Sequence, residues 1–353
     1  MTTRLTLALL VAASGLAAQT PERFPLSGDA VAVYNLAGIL RVEAGSGADV
    51  IVELTRGGRD AAKLKIETGP VRDRYALRVI YPDDDIYYAA EGGYGNNSTL
   101  EVRDDGTFGD DGEHHRHSWD GGRRVRISSR GDGLDAHADL RVLVPAGKRV
   151  AVHLAVGRAT ISNVNGTLFV DVSSANVSAT GTKGSLSIDA GSGNVDVSDA
   201  QGDLNLDTGS GDVSVNGVIG GHVSLDTGSG NATGGRIQAD VLSVDTGSGD
   251  VEFAAVSSPD VKIDTGSGSV RLTLDGKLSD LDVDTGSGDV TLTVPPTLGG
   301  DIYIDTGSGG IDLGGLTVQV TKLEKDHVEG KIGTGTGHYK IETGSGEVRL
   351  VRS

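Results

Sequence analysis

The chain contains no cysteine, so disulfides and thiolate metal sites are excluded. Aromatic residues make up only 4% of it, with a single tryptophan. Compact cores lean on aromatics for buried area, so this core must be built from Val, Leu, Ile and Ala. Such a composition suits a thin interior shared between many similar layers. Basic residues are scarce in one region: 184–315 holds 21 Asp plus Glu against 4 Lys plus Arg, within a chain of net charge −18. That surface repels nucleic acid and anionic lipid. It leaves cations, cationic partners or plain solubility as the uses of the charge. No segment beyond the amino terminus is apolar for long enough to cross a bilayer as a helix.

Glycine, by contrast, is abundant, at 55 residues. The amino terminus reads as a secretory signal: Arg4, the apolar run Leu5 to Ala13, then small residues ending near Ala17 or Ala18. The expected location is therefore secreted, either periplasmic or at the cell surface. From Ala30 a series of alternating segments predicts strands, at Ala30 to Glu43, Asp49 to Leu54, Lys63 to Glu67 and Tyr75 to Ile80. A polar stretch at about 81–123 reads as a long loop or insertion. Strand character returns at Val125 to Ser129 and Asp139 to Val144.

The repeats then take over. Asp207-Thr208-Gly209-Ser210-Gly211-Asp212-Val213 has near-copies beginning at Asp189, Asp226, Asp245, Asp264, Asp284, Asp305 and Glu342, at intervals of 18, 19, 19, 19, 20, 21 and 37 residues. A fixed period of this length predicts stacked repeats. Worn copies fall at Asp171 and His153, and the long last interval predicts a further copy between Asp305 and Glu342. Within one repeat, Leu204, Leu206, Val213 and Val215 face inward while Asn205, Asp207, Asp212 and Ser214 face outward. The paired glycines read as a tight turn requiring positive φ.

The predicted fold is all-β: a parallel β-solenoid of roughly 18–21-residue coils, preceded by a smaller β-rich domain. The predicted boundaries are a signal peptide at 1–18, a β-rich domain at 19–140 and the solenoid at 141–353. A run of hairpins also fits, but near-identical turns favour stacking in register. About ten coils would give a rod roughly 50 Å long.

The Asp-Thr-Gly-Ser-Gly-Asp-Val units, entered through Leu143-Val144-Pro145-Ala146-Gly147, resemble bacterial families of β-strand-repeat proteins of unknown function labelled "putative adhesin". The resemblance covers roughly Arg141 to Val351 and extends weakly back to Ala30. It implies a secreted or surface β-solenoid and brings no catalytic residues with it.

Asp-Thr-Gly-Ser is also the aspartic-protease signature, where two carboxylates on two lobes share a proton across a cleft. Here the copies recur at close spacing and would form a file along a rod, so no catalytic residue is assigned. Outward Asp207, Asp226, Asp245, Asp264 and Asp284 could be bridged by calcium, which takes oxygen ligands. The favoured alternative is that each Asp bonds the amides of its own turn. His114, His115 and His117 could hold a transition metal, though their setting reads as a solvated loop. Tyr87, Tyr88 and Tyr94 could stack on sugars or line a partner surface, or simply pack. No other cofactor is expected. The sequence reads as a non-enzymatic adhesion or scaffold protein whose partner is a glycan or an envelope protein. The second reading is a polysaccharide-acting β-helix enzyme.

Overall fold

Alternating apolar and polar residues make strands with one buried face. In the computed structural model that buried face closes on itself as a coil. The structure describes residues 20–89, 97–109 and 122–353, so the signal segment lies outside it. One coil of the trunk runs through Leu204–Thr208, turns at 209–212, and continues into Val213–Thr227. That second strand bends at Gly217, where φ is 71°, and returns to the first side as Val223 to Thr227. Successive coils pair in parallel and in register, so Asp207 meets Asp226, Asp226 meets Asp245 and Asp245 meets Asp264. The interior is the expected thin file of Val, Leu and Ile. Phe253 is the one aromatic side chain fully buried within the trunk at 166–294.

In the copies from Asp207 to Asp284, and at Glu342, the glycines of the repeated turn do not have positive φ, which corrects the turn reading there, whereas Gly193 (φ 138°) and Gly307 (φ 57°), in the copies at Asp189 and Asp305, do. Positive φ falls instead at the bend after the second strand, in a column of Asn163, Gly181, Asp199, Gly217, Arg236 and Ala255. The turn glycines are needed because the coils approach closely. A Cβ on Gly249 would lie 1.8 Å from the Gly230 carbonyl oxygen, and one on Gly268 would lie 1.8 Å from that of Gly249.

Both ends depart from chain order. The strand Ala30–Ala44 is itself a coil, paired in parallel with Lys148–Ser162. Its other side is covered by Arg74–Ile80 and His137–Val144. Residues assigned by pattern to an amino-terminal segment thus lie within the stack, and residue 140 falls inside a strand of it. At the far end, Gly337–Thr343 and Val348–Arg352 form the last coil in sequence. That coil sits between Asp280–Thr285 on one side and Gly300–Asp305 on the other. No further coil lies between Asp305 and Glu342. The intervening Val318–Leu323 and His327–Ile332 form an antiparallel hairpin on Gly300–Asp305. Its outer strand leaves Val320 and Leu323 exposed instead of burying them as a coil would.

Described parts of the polar stretch at 81–123 also hold structure. Asp85–Tyr87 and Ser98–Val102 join Arg123–Ser128 and Leu134–Asp135 in a small four-stranded sheet. Among the described residues no helix is long and apolar enough to cross a membrane.

Candidate functional site

One outward position of every trunk coil carries a carboxylate. The register joins Asp171, Asp189, Asp207, Asp226, Asp245, Asp264 and Asp284, then Glu342 and Asp305. This is an unbroken acidic file, with neighbours about one strand spacing (~4.8 Å) apart. A histidine closes each end. His153 Nδ1 lies 2.9 Å from Asp171 Oδ2, and its buried ring stacks on Tyr34 at 4.3 Å. His327 Nδ1 lies 3.2 Å from Asp305 Oδ2.

Asp207, Asp226, Asp245, Asp264 and Asp284 do not cap their own turns, whereas Asp305 Oδ1 accepts from the Gly307 N–H at 3.0 Å. In those five copies the next residue, a buried threonine, takes that role. Thr246 Oγ1 accepts from the Gly249 N–H at 3.0 Å and donates to the Gly230 carbonyl of the preceding coil at 3.1 Å. Thr227, Thr265 and Thr285 repeat both bonds. The inward-pointing threonine is close to the turn amide, whereas the outward aspartate points away from it. The Asp-Thr-Gly-Ser signature is therefore structural: its threonine ties coils together and its aspartate is left to solvent.

The acid after each turn behaves differently. Asp212 Oδ1 accepts from the Asn231 N–H at 2.9 Å, Asn231 Oδ1 from Asp250 at 2.9 Å, and Asp250 Oδ1 from Ser269 at 2.8 Å. Acid and neutral residues alternate here from Asp212 to Asp289, so like charges are spaced two coils apart until Asp289 meets Glu347 of the adjacent coil. The first file has no such relief.

Its electrostatics follow. Asp226, Asp245 and Asp284 are all held above the usual carboxylate range, first by partial burial and then by carboxylates in the adjacent coils. Lys262 partly offsets this at Asp245, as Lys340 does at Asp284. A carboxyl with a raised folded-state pKa binds its proton more tightly folded than unfolded. Its contribution to stability therefore rises as pH falls from neutral toward the unfolded value of about 3.9. Asp305 is shifted the opposite way, by the Gly307 amide and then His327. Its stabilising contribution is lost only as pH falls below about 4. At low salt, Tm at pH 5 should therefore exceed Tm at pH 7. Asp226→Asn combined with Asp245→Asn should flatten that rise, and a thermal melt series over pH checks it.

The sequence-predicted sites fall as follows. Asp207, Asp226, Asp245, Asp264 and Asp284 are aligned in a line rather than a cage. Among the described residues no three His, Asp or Glu side chains converge on a metal-sized point. Tyr88 is buried, its ring 5.2 Å from His137, and Tyr87 is half-buried in the small sheet. Tyr81 is buried in the core with its hydroxyl on Asn35 and Ala37. Tyr94, His114, His115 and His117 lie outside the described residues.

A groove that the sequence reading missed lies at the carboxyl-terminal end of the acidic face. The hairpin's register shifts between Val320 and Lys322. Such an irregularity bends a strand and increases its twist. Beside it lies a groove of about 940 Å³. One cross-strand row of its floor reads Gln319, Lys331, Asp301 and His338. The next reads Glu329, Tyr303 and Lys340. The available signal was the cluster of Lys322, Lys325, Lys331 and Lys340, after a trunk almost without bases.

Residues 180–351 match the family model described as Toastrack DUF4097, a domain of unknown function. No curated protein matches the chain. A crystal structure of a "putative cell adhesion protein" from Clostridium sporogenes is 11% identical, covering 94% of this chain and 100% of that one, with a TM-score of 0.21. At that score the likeness carries no structural argument.

Proposed function

We propose, from the match of residues 180–351 to the Toastrack family model, that the protein is a secreted, non-enzymatic rod that acts as an adhesion or scaffold surface. The observation that carries this reading is the unbroken file of outward carboxylates, repeated coil after coil at constant spacing. A surface of identical units suits contact at many points with an extended partner, such as an envelope glycan or an envelope protein. Many weak contacts then add through effective concentration. Catalysis needs one distinctive constellation, whereas a repeat supplies the same groups everywhere.

The test is binding to a glycan array, with and without calcium, followed by analysis of the bound material. Saturable binding without turnover supports the adhesion reading. Release of a shortened product would overturn it in favour of a polysaccharide-acting enzyme. Calcium is not required in this reading. Sodium and calcium at equal ionic strength should raise Tm alike by screening the aspartates. A shift specific to calcium, lost in Asp245→Asn with Asp264→Asn, would assign the file as a metal site.

A further inference from the structure

We infer that the carboxyl-terminal groove binds a short run of neutral sugar rings, an inference that rests on the adhesion reading. The trunk presents one repeated surface. At the carboxyl-terminal end the coil repeat breaks where the hairpin folds against Gly300–Asp305, and the groove lies there. Its volume of about 940 Å³ lies within the range of about 300–1,000 Å³ that holds small ligands.

The chemistry of the floor points to a hydroxyl-rich ligand. Tyr303 is the half-buried aromatic of the floor, and the His327 ring meets it edge-on at 5.1 Å and 86°. A tyrosine held this way offers an apolar face against which the C–H side of a sugar can lie. Around it stand the Gln319 amide, the Lys331 and Lys340 ammonium groups and the carboxylates of Asp301 and Glu329. A sugar hydroxyl both donates and accepts, and this set supplies partners for each role.

Charge decides against an acidic sugar. Lys331 already lies 3.3 Å from Asp301, and Lys340 lies 2.7 Å from Glu342. An anionic ligand would have to break these pairs. It would also sit beside the end of the acidic file, where Glu342 is next to Asp284. A neutral ligand can leave both pairs in place.

The experiment uses the full chain and isothermal titration with cellotetraose, N-acetylated chitotetraose and tetragalacturonate, beside the glycan array. Two variants are compared with the wild type. Tyr303→Ala removes the platform. Gln319→Trp fills the groove from an exposed outer strand and leaves the core untouched, which guards against misfolding of the first. The expected result is that a neutral tetrasaccharide binds and tetragalacturonate does not. Tyr303→Ala should weaken binding by roughly tenfold or more, the scale of an aromatic anchor, and Gln319→Trp should abolish it. If the wild type binds sugars and both variants bind them unchanged, the groove assignment is wrong and the adhesion reading survives. Preferential binding of tetragalacturonate would also overturn the groove assignment. If the wild type binds no glycan on the array, the groove assignment fails and with it the glycan form of the adhesion reading, leaving an envelope protein as the partner.

Discussion

Deleting residues 337–353 is expected to unfold the carboxyl-terminal part of the rod rather than shorten it. These residues are last in sequence but not last in the stack. Their strands fill the space between Asp280–Thr285 and Gly300–Asp305. The deletion removes Tyr339, Ile341, Val348 and Leu350, all buried. At about 1.5–3 kcal/mol for each buried side chain, the loss is on the order of 6 kcal/mol or more. It also leaves backbone groups unpaired on both sides of the gap. A typical domain has only about 5–15 kcal/mol in total. The control is an internal deletion of Asp226 to Val244, which joins Leu225 to Asp245 and removes one whole period. Every row stays in register, so Tm should fall only modestly. Far-ultraviolet dichroism melts compare the two. A truncated chain melting within a few degrees of the full one would contradict the interleaved end.

The second large effect is expected at a single glycine. In Gly249→Val the new Cβ would sit 1.8 Å from the Gly230 carbonyl oxygen and 2.5 Å from its carbon. Both are backbone atoms of the preceding coil, so no side chain can rotate away. The coils must separate locally, which also strains the bonds of Thr246 to Gly230 and to Gly249. A cost of about 3 kcal/mol follows for overpacking of this kind. A Cβ added to Gly47 would meet nothing within 4 Å, so a bulky residue there tests backbone conformation alone. Chemical denaturation of Gly249→Val reads the difference. An unchanged midpoint would mean that the coils are not in close contact at this turn.

Much of the trunk was legible because its rules are local. Alternation placed Leu204, Leu206, Val213 and Val215 inside, and a constant period brought Asp207, Asp226 and Asp245 into one row. The role of the turn residues was not legible from type alone. Glycine can mean positive φ or close approach, and only the neighbouring coil distinguishes them. Arg236 and Ala255 adopt positive φ although neither is a residue that favours it, so the true bend was hidden. The threonine escaped notice because its two bonds span separate coils. Both ends escaped notice for a related reason. Which strand covers Ala30–Ala44 depends on pairing between distant segments, and no local pattern encodes it. The groove was hidden by the same gap, since the spacing alone makes residues 318–332 look like one more coil.

The placement of Ala30–Ala44 also bears on the order in which the rod can be made. Each trunk coil meets its neighbour after a single period, so closing that contact costs little chain entropy. The layer at Ala30–Ala44 leaves the ribosome early, yet the segments that flank it are Arg74–Ile80 with His137–Val144, and Lys148–Ser162. Until residue 148 and those after it have emerged, one whole side of that strand has no partner. Contacts of such long sequence separation form slowly. Assembly therefore starts in the middle and finishes at the ends, and a chain halted before residue 148 holds a bare edge rather than the first half of a rod.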